Sequence, residues 1–126
     1  MKVFIVDDSE VVCDRLRAML SELPGIEIVG QAQEALKAIS SIRNLKPDAV
    51  ILDIRLTARN GIEVLKSIKK GDSAPMTIIL TNYPYDQYRK KCMEAGADFF
   101  FDKTTEFDRV TELFKKSIQG CDNSIV

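Results

Sequence analysis

Apolar residues along this chain follow two alternating rhythms. Short unbroken runs, Val3-Phe4-Ile5-Val6, Ala49-Val50-Ile51-Leu52, Thr77-Ile78-Ile79-Leu80 and Phe99-Phe100-Phe101, read as buried strands. Between them apolar positions recur at helical spacing. Residues 2–6 predict a first strand and 9–22 a helix capped by Ser9, with Val12, Leu16, Met19 and Leu20 on one face. Pro24-Gly25 marks a turn. Residues 26–30 alternate at first and predict an edge strand. A helix over 33–45 carries Ala35, Ile39 and Ile42, and Pro47 follows its stop.

The second half repeats the rhythm. Residues 48–52 predict a strand ending at Asp53, followed by a loop through Thr57 to Asn60. Gly61 opens a helix holding Ile62, Leu65 and Ile68, closed by Gly71. Strands are predicted over 76–80 and 98–102, with a helix over 85–95 between them, ended by Gly96. Thr105-Glu106-Phe107-Asp108 matches a capping box, opening a last helix with Phe107, Val110, Phe114 and Ile118. Polar residues from Gly120 predict a short frayed tail. Strand–helix alternation, repeated five times, predicts a single α/β domain with a parallel sheet covered by helices on both faces.

In such a sheet, ligands gather outside the carboxyl ends of the strands. Asp7, Asp8, Asp53, Thr81 and Lys103 each follow an apolar run, so their side chains converge on one edge. Taken singly, each has a plain explanation: Asp8 as a helix cap, Thr81 as a good strand residue, Lys103 as a solvated strand end. Together they form a site. Like charges this close need a cation, and oxygen ligands with few protein donors suit Mg²⁺. A carboxylate can attack phosphorus, and a cation with an ammonium offsets the charge of a transferring phosphoryl group.

Composition narrows the field. The chain has 126 residues and a net charge of −1, with no basic field for nucleic acid or membrane. No apolar run approaches the roughly 20 residues of a membrane span, and Asp7-Asp8 interrupt the first run too soon for a signal peptide. Cys13, Cys92 and Cys121 are widely spaced, which suits reduced cytoplasmic thiols rather than disulfides or zinc. Histidine is absent, so any imidazole in the reaction comes from a partner.

In this order and spacing the residues resemble a response-regulator receiver domain, the phosphoacceptor module of two-component signalling. The resemblance rests on Asp7-Asp8, Asp53, Gly61, Thr81 and Phe101-Asp102-Lys103, and covers roughly residues 1–119, leaving 120–126 as a C-terminal tail. It implies a doubly wound, five-stranded sheet in the flavodoxin-like order 2-1-3-4-5, and that Asp53 accepts a phosphoryl group from a sensor histidine kinase or histidine phosphotransfer protein. Asp8, Asp53 and the backbone carbonyl of Arg55 would ligate Mg²⁺, and Asp7 would act through water. Thr81 and Lys103 would bind the phosphoryl group. Phe100 holds the place of the switch aromatic, while Phe99 and Phe101 read as plain core. The implied output surface is the fourth helix, fifth strand and fifth helix, roughly residues 85–118, with Tyr85 and Tyr88 as contacts. A phosphorylation-dependent dimer belongs to the same expectation. The implied module is a switch, limited to phosphorylating and dephosphorylating itself.

Three positions depart from the family pattern. Thr57 stands where proline is common. Thr104 stands after Lys103 in place of proline, and a cis 103–104 peptide is expected there despite a cost of about 3 kcal/mol. Asn82 replaces a small residue, and with Arg55 it crowds the way to the phosphate. The leading alternative is a Mg²⁺-dependent phosphatase with an aspartyl nucleophile, but Arg55 occupies the position where such enzymes keep a second aspartate. A flavodoxin-like cofactor binder would want a phosphate loop after the first strand, where Asp7-Asp8 repel phosphate. A degenerate receiver that only binds partners would not need the full acidic set.

Overall fold

Five parallel strands lie in the order β2-β1-β3-β4-β5, with β1 at Lys2–Val6, β2 at Glu27–Ala32, β3 at Ala49–Leu52, β4 at Met76–Thr81 and β5 at Phe99–Asp102. The connecting helices are α1 (Glu10–Ser21), α2 (Ala35–Leu45), α3 (Gly61–Ile68), α4 (Asp86–Glu94) and α5 (Phe107–Asn123). The structure, a computed structural model, describes residues 1–56, 61–71 and 74–123, with the side chains of 118–123 excepted. Thr57, Asn60 and the Ile118 side chain therefore lie outside the described residues. The predicted fold class and strand order are those observed.

Period-two alternation sorts the strand residues into two cores. Phe4, Val6, Val50, Leu52, Ile79 and Phe100 pack toward α2 and α3, against Ala38, Ile42, Val64 and Leu65. Val3, Ile5, Ile51, Ile78 and Leu80 pack toward α1 and α5, against Cys13, Leu16, Leu20, Val110 and Phe114. Cys13 and Cys92 are buried, free thiols. Burial pushes both up to about 11, so they are inert packing groups.

Several boundaries differ from those the sequence predicts. Strand β2 runs to Ala32 because β1 offers it backbone partners as far as Val6. It is the half-exposed edge strand expected. Helix α5 begins at Phe107, not beside Thr105. The Glu106 carboxylate instead accepts the Asp102 N–H at 3.1 Å, tying the helix start to β5. The helix continues to Asn123, past the point where polar residues suggest fraying. Phe99 and Phe101 are half-buried and stack on each other with ring centroids 6.0 Å apart. Phe100, on the other face, is the buried one at 5% exposure.

Register places the site. Val6 pairs with Leu52, so Asp7 and Asp53 leave the sheet side by side. Thr81 pairs with Asp102, so Lys103 leaves next to Thr81.

Candidate functional site

Backbone bonds continue past the strands and hold the site residues in place. Asp7 N–H donates to the Ala32 carbonyl at 3.1 Å, Asp53 N–H to Val6 at 2.9 Å and Lys103 N–H to Thr81 at 2.8 Å. Asp7 and Asp53 are 2% and 5% exposed, and Thr81 is fully buried. Asp8 is exposed at the mouth. Ser9 caps α1 as predicted, its hydroxyl accepting the Val12 N–H at 3.3 Å.

Lys103 is the hub. Its Nζ lies 2.7 Å from Asp7 Oδ2 and 2.8 Å from Asp53 Oδ2. The remaining oxygens are engaged by backbone: Ser9 N–H donates to Asp7 Oδ1 at 2.9 Å and Arg55 N–H to Asp53 Oδ1 at 3.1 Å. Burial pushes the Asp7 carboxyl above its usual range, against the opposing pull of Lys103. Burial draws the Lys103 ammonium down, but its bonds to Asp53 and Asp7 outweigh this and the net shift is upward. The ammonium thus stays charged between two carboxylates.

Carboxylate oxygens of Asp7, Asp8 and Asp53 all lie within 4.8 Å of one another. Among the described residues, the buried carboxylates of Asp7 and Asp53 share the one Lys103 ammonium. The donor set is all oxygen, with one carboxylate open to solvent, which fits a hard divalent cation that keeps some of its waters.

Gly61 explains how the loop after Asp53 closes. A Cβ there would sit 2.2 Å from the Asp53 carbonyl oxygen and 2.7 Å from the Ile54 Cα. Only glycine permits this approach, which Gly61 N–H seals by donating to the Ile54 carbonyl at 2.7 Å.

The predicted residues Asp7, Asp8, Asp53 and Lys103 are thus brought together. Thr81 stands beside Lys103 in the next strand pair, its hydroxyl accepting the Tyr83 N–H at 3.0 Å. Phe100 is buried under the Arg89 guanidinium, 4.7 Å from its ring centroid. The expected cis 103–104 peptide does not occur; no cis bond is found among the described residues. Without proline the cis form costs about 3 kcal/mol. A trans turn already satisfies the backbone, with Thr104 N–H donating to Asp102 Oδ1 at 2.8 Å. The Arg55 side chain lies over the Tyr83 ring, 4.4 Å from its centroid. Nothing in the sequence singles out Tyr83, because this contact depends on how two separate loop tips meet.

Comparison with known proteins agrees with this geometry. The family model of the response regulator receiver domain matches residues 3–115, and the chain belongs to that family. Protein-glutamate methylesterase/protein-glutamine glutaminase 1 of Methanospirillum hungatei is 33% identical over 115 residues, covering 90% of this chain and 34% of that protein. Response regulator protein VraR of Staphylococcus aureus is 30% identical over 120 residues, covering 95% of this chain and 57% of that one. The response regulator domain of Thermotoga maritima CheB aligns with a TM-score of 0.82 at 27% identity, covering 98% and 96% of the two chains. The chain therefore spans about a third of the first relative and just over half of the second. It is a receiver domain of the two-component response regulators, and the phosphatase alternative finds no support. Among the described residues, no helix is long and apolar enough to cross a membrane.

Proposed function

We propose that this domain is a phosphoacceptor switch whose acceptor is Asp53. An Asp53 carboxylate oxygen attacks the phosphorus of a phosphohistidine on a sensor kinase or phosphotransfer protein. The O–P bond of an aspartyl phosphate forms, the P–N bond breaks, and its electron pair returns to the donor imidazole, which takes a proton. One observation carries this reading: the carboxylate oxygens of Asp7, Asp8 and Asp53 lie within 4.8 Å of one another, and the Lys103 ammonium sits 2.8 Å from Asp53.

Asp8, Asp53 and the Arg55 carbonyl would hold Mg²⁺, with Asp7 acting through water. When bound, the cation offsets charge on the transferring group. The chain's own residues do the rest. Lys103, already 2.8 Å from Asp53 Oδ2, passes its hydrogen bond to a phosphoryl oxygen. Thr81 donates its hydroxyl to another. Moving toward it, Thr81 gives up the Tyr83 N–H it now accepts and lets Phe100 repack, biasing an existing equilibrium on the face of α4, β5 and α5. A downstream target, or a second phosphorylated copy, reads that face, with Tyr85 and Tyr88 as contacts. The switch works in the cytoplasm, contacts neither DNA nor membrane directly, and catalyses only its own loading and hydrolysis. Residues 1–119 form the receiver unit and 120–126 its tail.

Incubation with acetyl phosphate and Mg²⁺, read by intact mass and peptide mapping, tests this. The expected result is one phosphoryl group on Asp53, absent from Asp53→Asn and absent when EDTA replaces Mg²⁺. Equal labelling of Asp53→Asn overturns the assignment.

A further inference from the structure

The Lys103 ammonium sits at the end of a flexible stem. It keeps its contacts to Asp7 at 2.7 Å and Asp53 at 2.8 Å only where the backbone beneath it is held. Hydrogen bonds hold each peptide unit around it. Lys103 N–H donates to the Thr81 carbonyl at 2.8 Å. Just before it, Asp102 N–H donates to Glu106 Oε1 at 3.1 Å. Just after it, Thr104 N–H donates to Asp102 Oδ1 at 2.8 Å. Glu106 N–H closes the turn on the Asp102 carbonyl at 2.8 Å. Asp102 and Glu106 are therefore joined twice, and the turn between them carries Lys103.

Two features set Glu106 apart from an ordinary helix cap. It stands at the start of α5, with Arg109 N–H donating to its carbonyl at 2.9 Å, yet its carboxylate turns away from the helix. Oε1 reaches back into β5, to the residue immediately before Lys103. Oε2 lies 3.5 Å from the exposed Arg109 guanidinium, a contact of little weight. The second feature is Thr104. A proline at that position would fix φ but would have no N–H for Asp102 Oδ1. With threonine there, the turn takes its rigidity from the side-chain oxygens of Asp102 and Glu106 instead.

We propose that Glu106 is a positioning residue for phosphoryl transfer: by holding the Asp102 amide it fixes where Lys103 leaves β5 and keeps the ammonium aimed at the Asp53 oxygen that is loaded. This rests on the phosphoacceptor reading given above, in which Lys103 passes its hydrogen bond to a phosphoryl oxygen. Without the Glu106 oxygen the Asp102 N–H loses its partner and the turn shifts. Lys103 then meets the transferring group out of line, and a displacement of about 1 Å can slow such a step by as much as about 100-fold.

The test compares three variants of the full chain. Glu106→Gln keeps an acceptor oxygen and drops the charge, Glu106→Leu keeps neither, and Arg109→Ala removes only the exposed ion pair. Loading by acetyl phosphate and Mg²⁺ is timed by intact mass. The Lys103 ammonium is followed by ¹H–¹⁵N NMR in EDTA, a readout that needs neither metal nor phosphorus. Glu106→Leu is expected to load about tenfold more slowly and to shift the Lys103 signal. Glu106→Gln and Arg109→Ala are expected to load within about twofold of the unaltered chain and to keep that signal. Glu106→Ala, which removes the oxygen without adding bulk, is read by the same outcomes should Glu106→Leu not fold. Undiminished loading of Glu106→Leu overturns the inference. So does a Gln or Arg109 variant as slow as Glu106→Leu, or a slowed Glu106→Leu whose Lys103 signal has not moved. Each of these leaves the phosphoacceptor reading standing. Absence of any mass gain in the unaltered chain overturns that reading and the inference together.

Discussion

Both ends of the sheet carry a lysine–carboxylate contact, and they differ in balance. At the amino ends of β4 and β5, Asp98 Oδ2 accepts from Lys69 Nζ and from Thr77 N–H, each at 2.8 Å, and Lys69 also donates to the Pro75 carbonyl at 2.7 Å. One cation meets one anion, and the pair is partly solvated, with side chains 16% and 43% exposed. At the carboxyl ends, Lys103 meets Asp7 and Asp53 with all three side chains at 7% exposure or less, and Asp8 adds a third carboxylate. The first contact is a staple between strand starts. Among the described residues, the second sets two buried carboxylates, Asp7 and Asp53, against one ammonium, which stability alone does not favour. Excess of one sign, rather than the number of ion pairs, separates a working site from a structural one.

That contrast can be broken most sharply at the lysines. Lys103→Met leaves buried carboxylates unpaired and is expected to destabilise the metal-free protein by about 3 kcal/mol. Mg²⁺ restores part of the loss by binding only the folded state. Urea denaturation with EDTA or Mg²⁺ reads both; a loss below that of Lys69→Met, whose exposed pair is worth about 1 kcal/mol or less, refutes the contrast.

At the staple, Asp98→Ala removes the acceptor of the Thr77 N–H and is expected to cost about 1.5 kcal/mol. Mg²⁺ should not change that cost. A Mg²⁺-dependent loss in the same denaturation series means the two ends are coupled.

The smallest effect sharpens the comparison through pH. Burial raises the Asp7 carboxyl in the folded state. A raised group favours folding below its unfolded value and loses that contribution as pH rises through the folded value. Charged Asp7 is therefore a liability at pH 7. Asp7→Asn is expected to stabilise the metal-free protein there by about 1 kcal/mol, the scale seen when a functional residue is relieved. The gain fades toward the acid limit, where Asp7 is protonated anyway. A gain independent of pH, measured by denaturation from pH 3 to pH 7, contradicts this origin.

Strands were the most legible part of the chain, because β1, β3 and β4 are buried on both faces and leave continuous apolar runs. Strand β2 was less so: its limits depend on what β1 offers it, not on its own residues. The acidic site was legible because topology alone brings strand ends together, and register places Asp7 beside Asp53 without any detail of packing. Contacts between loop tips were not. The stack of Arg55 on Tyr83 and the grip of Lys103 on Asp7 both require knowing how far separate loops lean. The phenylalanine run shows the same limit. Alternation separates Phe100 from Phe99 and Phe101, yet which side is dry follows from helix placement, and it is Phe100 that is buried.

Every phenol in the chain, Tyr83, Tyr85 and Tyr88, stands in a single corner, and tryptophan is absent. The protein's near-ultraviolet absorbance, ellipticity and emission beyond the weak phenylalanine bands therefore come from one patch beside the acidic pocket. Light alone, with no dye or engineered probe, can follow events at that corner in real time.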